Sequence, residues 1–167
     1  EEMLFQTLKE HNTEAIQATG VKTIVTADPH AYNALLKDYS GMPEILHFSQ
    51  YVLRKLRAGE LSFNPLEDPS KTYVYHDPCY LGRHNLLYDE PRAVLDAVPG
   101  LKRAEMERCR DRSFCCGGGG LMLFYEPIED QRMGQARVKM ADEAGADVIV
   151  TACPFCLVNL EDGLKTS

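Results

Sequence analysis

Gly145-Ala-Asp-Val-Ile-Val-Thr-Ala-Cys-Pro-Phe-Cys156 is the stretch on which the fold turns. Its apolar, β-branched run at 147–151 (DVIVT) lies between a glycine and a proline, the punctuation of a short buried strand. Pro154 suits the first position of a helix that follows at once. The same unit occurs earlier as Gly20-Val-Lys-Thr-Ile-Val-Thr-Ala-Asp-Pro-His-Ala31, at an offset of 125. Gly20, Ile24, Val25, Thr26, Ala27 and Pro29 match Gly145, Ile149, Val150, Thr151, Ala152 and Pro154, and Leu35 matches Leu160. One unit, helix–Gly–strand–Pro–helix, is therefore expected twice. Asp28 stands where Cys153 stands, and Ala31 where Cys156 stands.

Outward from these units, residues 22–26, 44–48, 72–76 and 101–106 read as further strands. Residues 127–144 read as a helix opened by Pro127, with Met133, Ala136, Met140 and Ala144 on its apolar stripe. Pro29 and Pro91 look like first-turn prolines. Strands alternating with helices predict an α/β fold with a largely parallel sheet and flanking helices. Residues 59–71 (GELSFNPLEDPSK) carry no period and read as a linker. At the offset of 125, residue 1 corresponds to residue 126, so the counterpart of Cys79 falls before the chain's first residue. The expected organisation is a first repeat truncated at its N-terminus over 1–70, linker included, and a complete second repeat over 71–167.

Composition narrows the class. The chain has 167 residues, 44% hydrophobic and 26% charged, enough to bury a core without covalent staples. A net charge of -7 disfavours nucleic acid and anionic membrane surfaces as partners. No run of about 18 apolar residues is present, so no direct membrane span is expected. No secretory leader is visible either. Six cysteines need an account. A disulfide framework fits the even count, but Cys115 and Cys116 are adjacent, a poor arrangement for bridging.

Five of the six fall at expected chain reversals. Cys79 follows the strand at 72–76, Cys115–Cys116 open a run of four glycines (Gly117–Gly120), and Cys153 ends the strand at 147–151. Open α/β sheets bind ligands at the carboxyl ends of their strands, so these groups can converge. Soft thiolates select zinc, copper(I) or iron–sulfur clusters. Five exceed the four of tetrahedral zinc, and an adjacent pair suits a site with several irons. A helix N-terminus at Pro154 lowers the pKa of Cys153. Main-chain N–H groups at Gly117 and beyond can stabilise electron-rich sulfur. The rivals are a structural zinc or non-redox scaffold module, and a metal-free dithiol oxidoreductase built on Cys153-x-x-Cys156. Nucleotide binding at the glycines lacks the Lys-Ser/Thr of a phosphate loop.

Cys79…Cys115-Cys116-Gly117…Cys153-x-x-Cys156, preceded by His76-Asp-Pro-Cys-Tyr-Leu-Gly-Arg83, resembles the cysteine-rich CCG domain family of heterodisulfide reductase-like iron–sulfur oxidoreductases. Its members include the iron–sulfur subunits of glycolate, lactate and glycerol-3-phosphate oxidation systems. The resemblance implies a [4Fe-4S] cluster on Cys79, Cys115, Cys116, Cys153 and Cys156, a cluster that in heterodisulfide reductase is of noncubane type. Solvent-reachable clusters are oxidised in air, so aerobically purified material is expected to lose the cluster. The implied role is electron transfer within an oxidoreductase of which this chain is a part. The implied redox partner is a subunit or fused domain carrying flavin, ferredoxin-type clusters or haem. The implied location is the cytoplasm, with membrane association through other parts of an intact protein. The chain departs from the family at Asp28-Pro-His-Ala31, where Cys-Pro-x-Cys is usual, so a second cluster is not expected there. Asp28 and His30 are candidates for a proton or substrate site instead. His76 and Arg83 are the catalytic candidates, flanked by Asp77 and His84. Cys109, amid three arginines, reads as accessory.

Overall fold

The computed structural model describes residues 1–120, 122–124 and 132–166. Its elements are α1 (Glu2–Thr19), β1 (Thr23–Thr26), α2 (Pro29–Lys37), β2 (Glu44–His47), α3 (Phe48–Arg57), β3 (Thr72–His76), α4 (Asp89–Asp96), β4 (Lys102–Ala104), α5 (Met133–Glu143), β5 (Val148–Thr151) and α6 (Pro154–Thr166), with 3-10 turns at Arg110–Arg112 and Met122–Phe124. Every strand pairing is parallel, as the alternation of strands and helices requires. The strands form two sheets, β1–β2 and β4–β3–β5. In the second, β3 is central, with Tyr73 opposite both Arg103 and Val148. Residues 59–71 contain no helix or strand.

The two units seen in the sequence follow the same local path. Gly20 and Gly145 lie in the left-handed region at φ 67° and 71°. Each donates its N–H to a carbonyl three residues back, Gln17 at 3.1 Å and Asp142 at 2.8 Å. A Cβ at either position would meet nothing within 4 Å, so the backbone angle alone calls for glycine. Pro29 and Pro154 both open helices. Tyr32 N–H bonds the Asp28 carbonyl at 2.9 Å, and Leu157 N–H bonds the Cys153 carbonyl at 3.0 Å, again 125 apart.

Strands β1 and β5 each begin one residue later than expected, and three further boundaries move. Phe48 begins α3 instead of ending β2, because His47 caps that helix through Ser49 N–H at 3.2 Å. The strand expected over 101–106 shrinks to Lys102–Ala104, since Glu105 turns out to meet Arg92 and Met106 drops into the core beneath β3. The helix expected from Pro127 begins at Met133: Arg132 is extended, at φ -70° and ψ 149°, and its N–H is held by Gln135 Oε1 at 3.0 Å. Pro127 itself lies outside the described residues. The buried stripe of α5 is Gly134, Arg137 and Ala141, rotated one residue from the expected Met133, Ala136, Met140 and Ala144.

Apolar packing ties the parts together. Val74, Met106 and Ala141 form one cluster. Tyr32, Ile45, Leu81 and Leu87 form another, against which Ala152 also packs. A third consists of Cys116, Cys153, Cys156 and Leu160, with Val138 and Ile149 against it. The cysteines are thus embedded in the core between α5, α6 and β5.

Candidate metal centre

Three chain reversals deliver the thiols. β3 ends at His76, and Asp77-Pro78 turns the chain to present Cys79. Arg110–Arg112 leads into Cys115–Cys116. β5 ends before Cys153, whose pKa is lowered by the Cys156 side chain and by main-chain N–H groups at the start of α6. Cys116, Cys153 and Cys156 are buried, while Cys79 and Cys115 are half-buried.

All five predicted cysteines come together. The electrostatics of their side chains link in one continuous series, Cys79–Cys115–Cys116–Cys156–Cys153. The chemistry alternates along it. Cys115, accepting from Cys116 and Cys79, is pulled down to about 2, and Cys153, accepting from Cys156, to about 6. Cys116 is pushed up to about 11 by donating to Cys115, and Cys79 and Cys156 are raised for the same reason. Gly117 N–H lies 3.3 Å from Cys115 Sγ, and Gly118 N–H lies 3.4 Å from Cys116 Sγ. Gly117 takes φ 85°, and a Cβ there would come within 2.7 Å of Met133 Cβ. A side chain would therefore disturb the turn that aims both N–H groups.

A polar layer fixes these loops. Asp77 is buried and takes two bonds from Arg92, at 2.6 and 2.9 Å, and a third from Arg110 N–H at 2.8 Å. Arg92 also reaches Glu105 at 2.7 and 2.9 Å. Arg83 bonds the Ser113 carbonyl at 2.6 Å, which ties the Cys79 loop to the Cys115 loop. Asn159 Nδ2 donates to the Cys116 carbonyl. His76 is 1% exposed, and one of its ring nitrogens lies within 4.8 Å of both Cys116 and Cys156 Sγ. Burial, reinforced by the positive charge of Arg137, pushes its pKa down to about 3. Arg137 Nε donates to His76 Nδ1 at 3.1 Å.

The remaining candidates separate cleanly. Cys109 is outside the thiol series, its pKa raised by burial. Asp28 caps α2 through His30 N–H at 2.9 Å and meets His30 Nδ1 at 3.0 Å. The His30 ring lies 4.3 Å from Tyr80 and 5.3 Å from Phe155, so the Asp28–His30 pair sits beside the residues next to Cys79 and between Cys153 and Cys156. His84 stacks on Tyr80 at 4.5 Å. Sequence reading passed over Arg137, Arg92 and Asn159. An arginine at the centre of the Gly134–Ala141 stripe was the available signal, and it appears only when the helix is phased correctly.

The profile of the cysteine-rich CCG domain family matches residues 73–161, which include all five cysteines. The chain belongs to this family. Over 98% of its length it is 40% identical to a protein named probable iron-sulfur-binding oxidoreductase FadF from Bacillus subtilis. Over 93% it is 39% identical to a subunit of the dihydromethanophenazine:CoB–CoM heterodisulfide reductase from Methanosarcina barkeri, and over 99% it is 36% identical to the EtfAB:quinone oxidoreductase of Syntrophomonas wolfei. The chain spans 23%, 39% and 24% of these three relatives. The matches run through residues 1–70 as well as the second unit.

Proposed function

We propose that this chain is the cluster-holding domain of an electron-transferring iron–sulfur oxidoreductase of the heterodisulfide reductase-like kind. Cys79, Cys115, Cys116, Cys153 and Cys156 would hold a [4Fe-4S] cluster. The observation that carries this reading is the single unbroken series of five thiols from three separate loops. Five soft ligands exceed what one tetrahedral ion uses, and main-chain N–H groups already point at their sulfurs. The relatives carry oxidoreductase and iron–sulfur names, which agrees with that chemistry.

A bound cluster supplies one-electron redox chemistry. The protein's own residues do the rest. The loop around Gly117 and Gly118 donates to two sulfurs, and the start of α6 donates to a third. Leu160, Val138 and Ile149 exclude water from the buried side. Cys79 and Cys115 leave a half-exposed side, where the Asp28–His30 pair stands ready to hold or pass a proton at His30 Nε2. A redox partner carrying flavin, haem or a ferredoxin-type cluster would exchange electrons across that side. Among the described residues no helix is long and apolar enough to cross a membrane.

A structural zinc site is the second reading, favoured by the approach of His76, Cys116 and Cys156 ligand atoms within 4.8 Å of one another. Anaerobic loading with iron and sulfide, followed by a redox titration monitored by EPR, separates the two. A reversible one-electron EPR signal is expected. A protein that takes up zinc and shows no such signal contradicts the proposal. Two-electron titration of Cys153 and Cys156 without iron would support the dithiol alternative instead.

A further inference from the structure

Arg137 is a buried cation that forms no ion pair among the described residues. Its side chain is 0% exposed. Its guanidinium donates to His76 Nδ1 at 3.1 Å, to the Arg108 carbonyl at 2.9 Å and to Ser113 Oγ at 3.5 Å, with Met140 Sδ at 3.8 Å. Every one of these is neutral, and no carboxylate among the described residues forms an ion pair with it. Asp77, the nearby buried acid, is already held by both terminal nitrogens of Arg92. An isolated charge in such a place is strongly unfavourable unless something of opposite sign sits close by. His76, which receives the Arg137 bond, has a ring nitrogen within 4.8 Å of the sulfurs of Cys116 and Cys156.

The bond to His76 carries a second consequence. Arginine Nε can only donate, so His76 Nδ1 must accept and the ring proton of the neutral imidazole resides on Nε2. Metal-bound histidine needs the reverse: a free lone pair toward the metal and an outer N–H directed at an acceptor. Ligation through Nε2 would set the Nδ1 proton against the Arg137 N–H. The approach of His76 to Cys116 and Cys156 therefore suits a donor toward sulfur.

We infer that Arg137 and His76 form a buried charge relay that compensates and tunes the cluster, Arg137 acting as positioning residue and fixed positive charge, His76 as an N–H donor to the Cys116–Cys156 sulfurs rather than a metal ligand. The relay stabilises the more negative, reduced cluster and so raises its potential. This inference rests on the cluster reading above.

The test uses the full-length protein loaded anaerobically with iron and sulfide. With the solution held at the wild-type midpoint, Arg137→Met is expected to lower the ratio of reduced to oxidised cluster about tenfold, equivalent to about 59 mV for a one-electron couple, at unchanged iron content. Arg137→Lys, which keeps the charge, is expected to restore most of that ratio. Wild-type protein carrying 15N-histidine is expected to show only weak nitrogen coupling in pulsed EPR, a measurement that needs no variant to fold. Strong coupling from a metal-bound nitrogen overturns the inference, as does a fully loaded Arg137→Met protein with the wild-type ratio. Wild type that takes up no iron and sulfide ends this inference and the cluster reading together.

Discussion

Cys156 and Cys109 carry the same functional group in different company. Cys156 interacts with both Cys116 and Cys153, whereas Cys109 is outside the series. Cys156→Ser is expected to lose most of the bound iron, because a hydroxyl is a poor ligand for a soft centre. Cys109→Ser is expected to keep the full complement, as iron analysis of the two purified variants would show. The Asp77–Arg92 pair behaves differently. Both side chains are almost fully buried, and the two bonds between them satisfy charges that have no access to water. Arg92→Met leaves Asp77 as an uncompensated charge and is expected to destabilise the fold by about 3–5 kcal/mol, read from urea unfolding of the metal-free protein. The cysteines were legible at this scale because thiol clusters have few structural uses in a chain large enough to bury a core. Arg137 was not, because a lone arginine in a helix ordinarily reads as solvated surface.

Among the elements, the repeated helix–Gly–strand–Pro–helix unit makes the sharpest prediction. Gly20 and Gly145 take the same left-handed angle with open space where a Cβ would go. Gly20→Ala and Gly145→Ala are each expected to destabilise by about 1–2 kcal/mol through backbone strain alone, equally within error, in thermal or urea unfolding. Unequal effects would argue that the two units differ in local geometry. The same units show where sequence reading stops. Pro154 marked the start of α6 because proline has one position of choice there. Phe48 was assigned to β2 because an aromatic residue extends a strand pattern, and histidine is not a usual cap. The α5 stripe was misphased because methionine and alanine look more core-like than glycine and arginine. In this helix Gly134 permits close approach of α6: a Cβ there would lie 2.8 Å from the Asn159 carbonyl oxygen.

For the molecule as a whole, the two sheets and six α-helices of the described residues serve to bring three loops to one place. Parallel order was legible from the alternation of strands and helices, and the division into two sheets was not, because it depends on pairings between strands distant in the chain. The Asp28-Pro-His-Ala31 turn repeats the backbone of Cys153-Pro-Phe-Cys156 with a hard oxygen and a methyl in place of two thiolates. One cluster per chain is therefore expected. Asp28→Cys together with Ala31→Cys is expected to leave the iron content unchanged, since two thiolates alone hold no such cluster. The measurement that bears most directly on the five-cysteine cluster is the amount of iron, zinc and acid-labile sulfide bound per chain after anaerobic loading with all three available. About four irons and about four sulfides are expected, with little zinc. A single zinc without sulfide, or no metal together with a Cys153–Cys156 disulfide, would contradict the cluster.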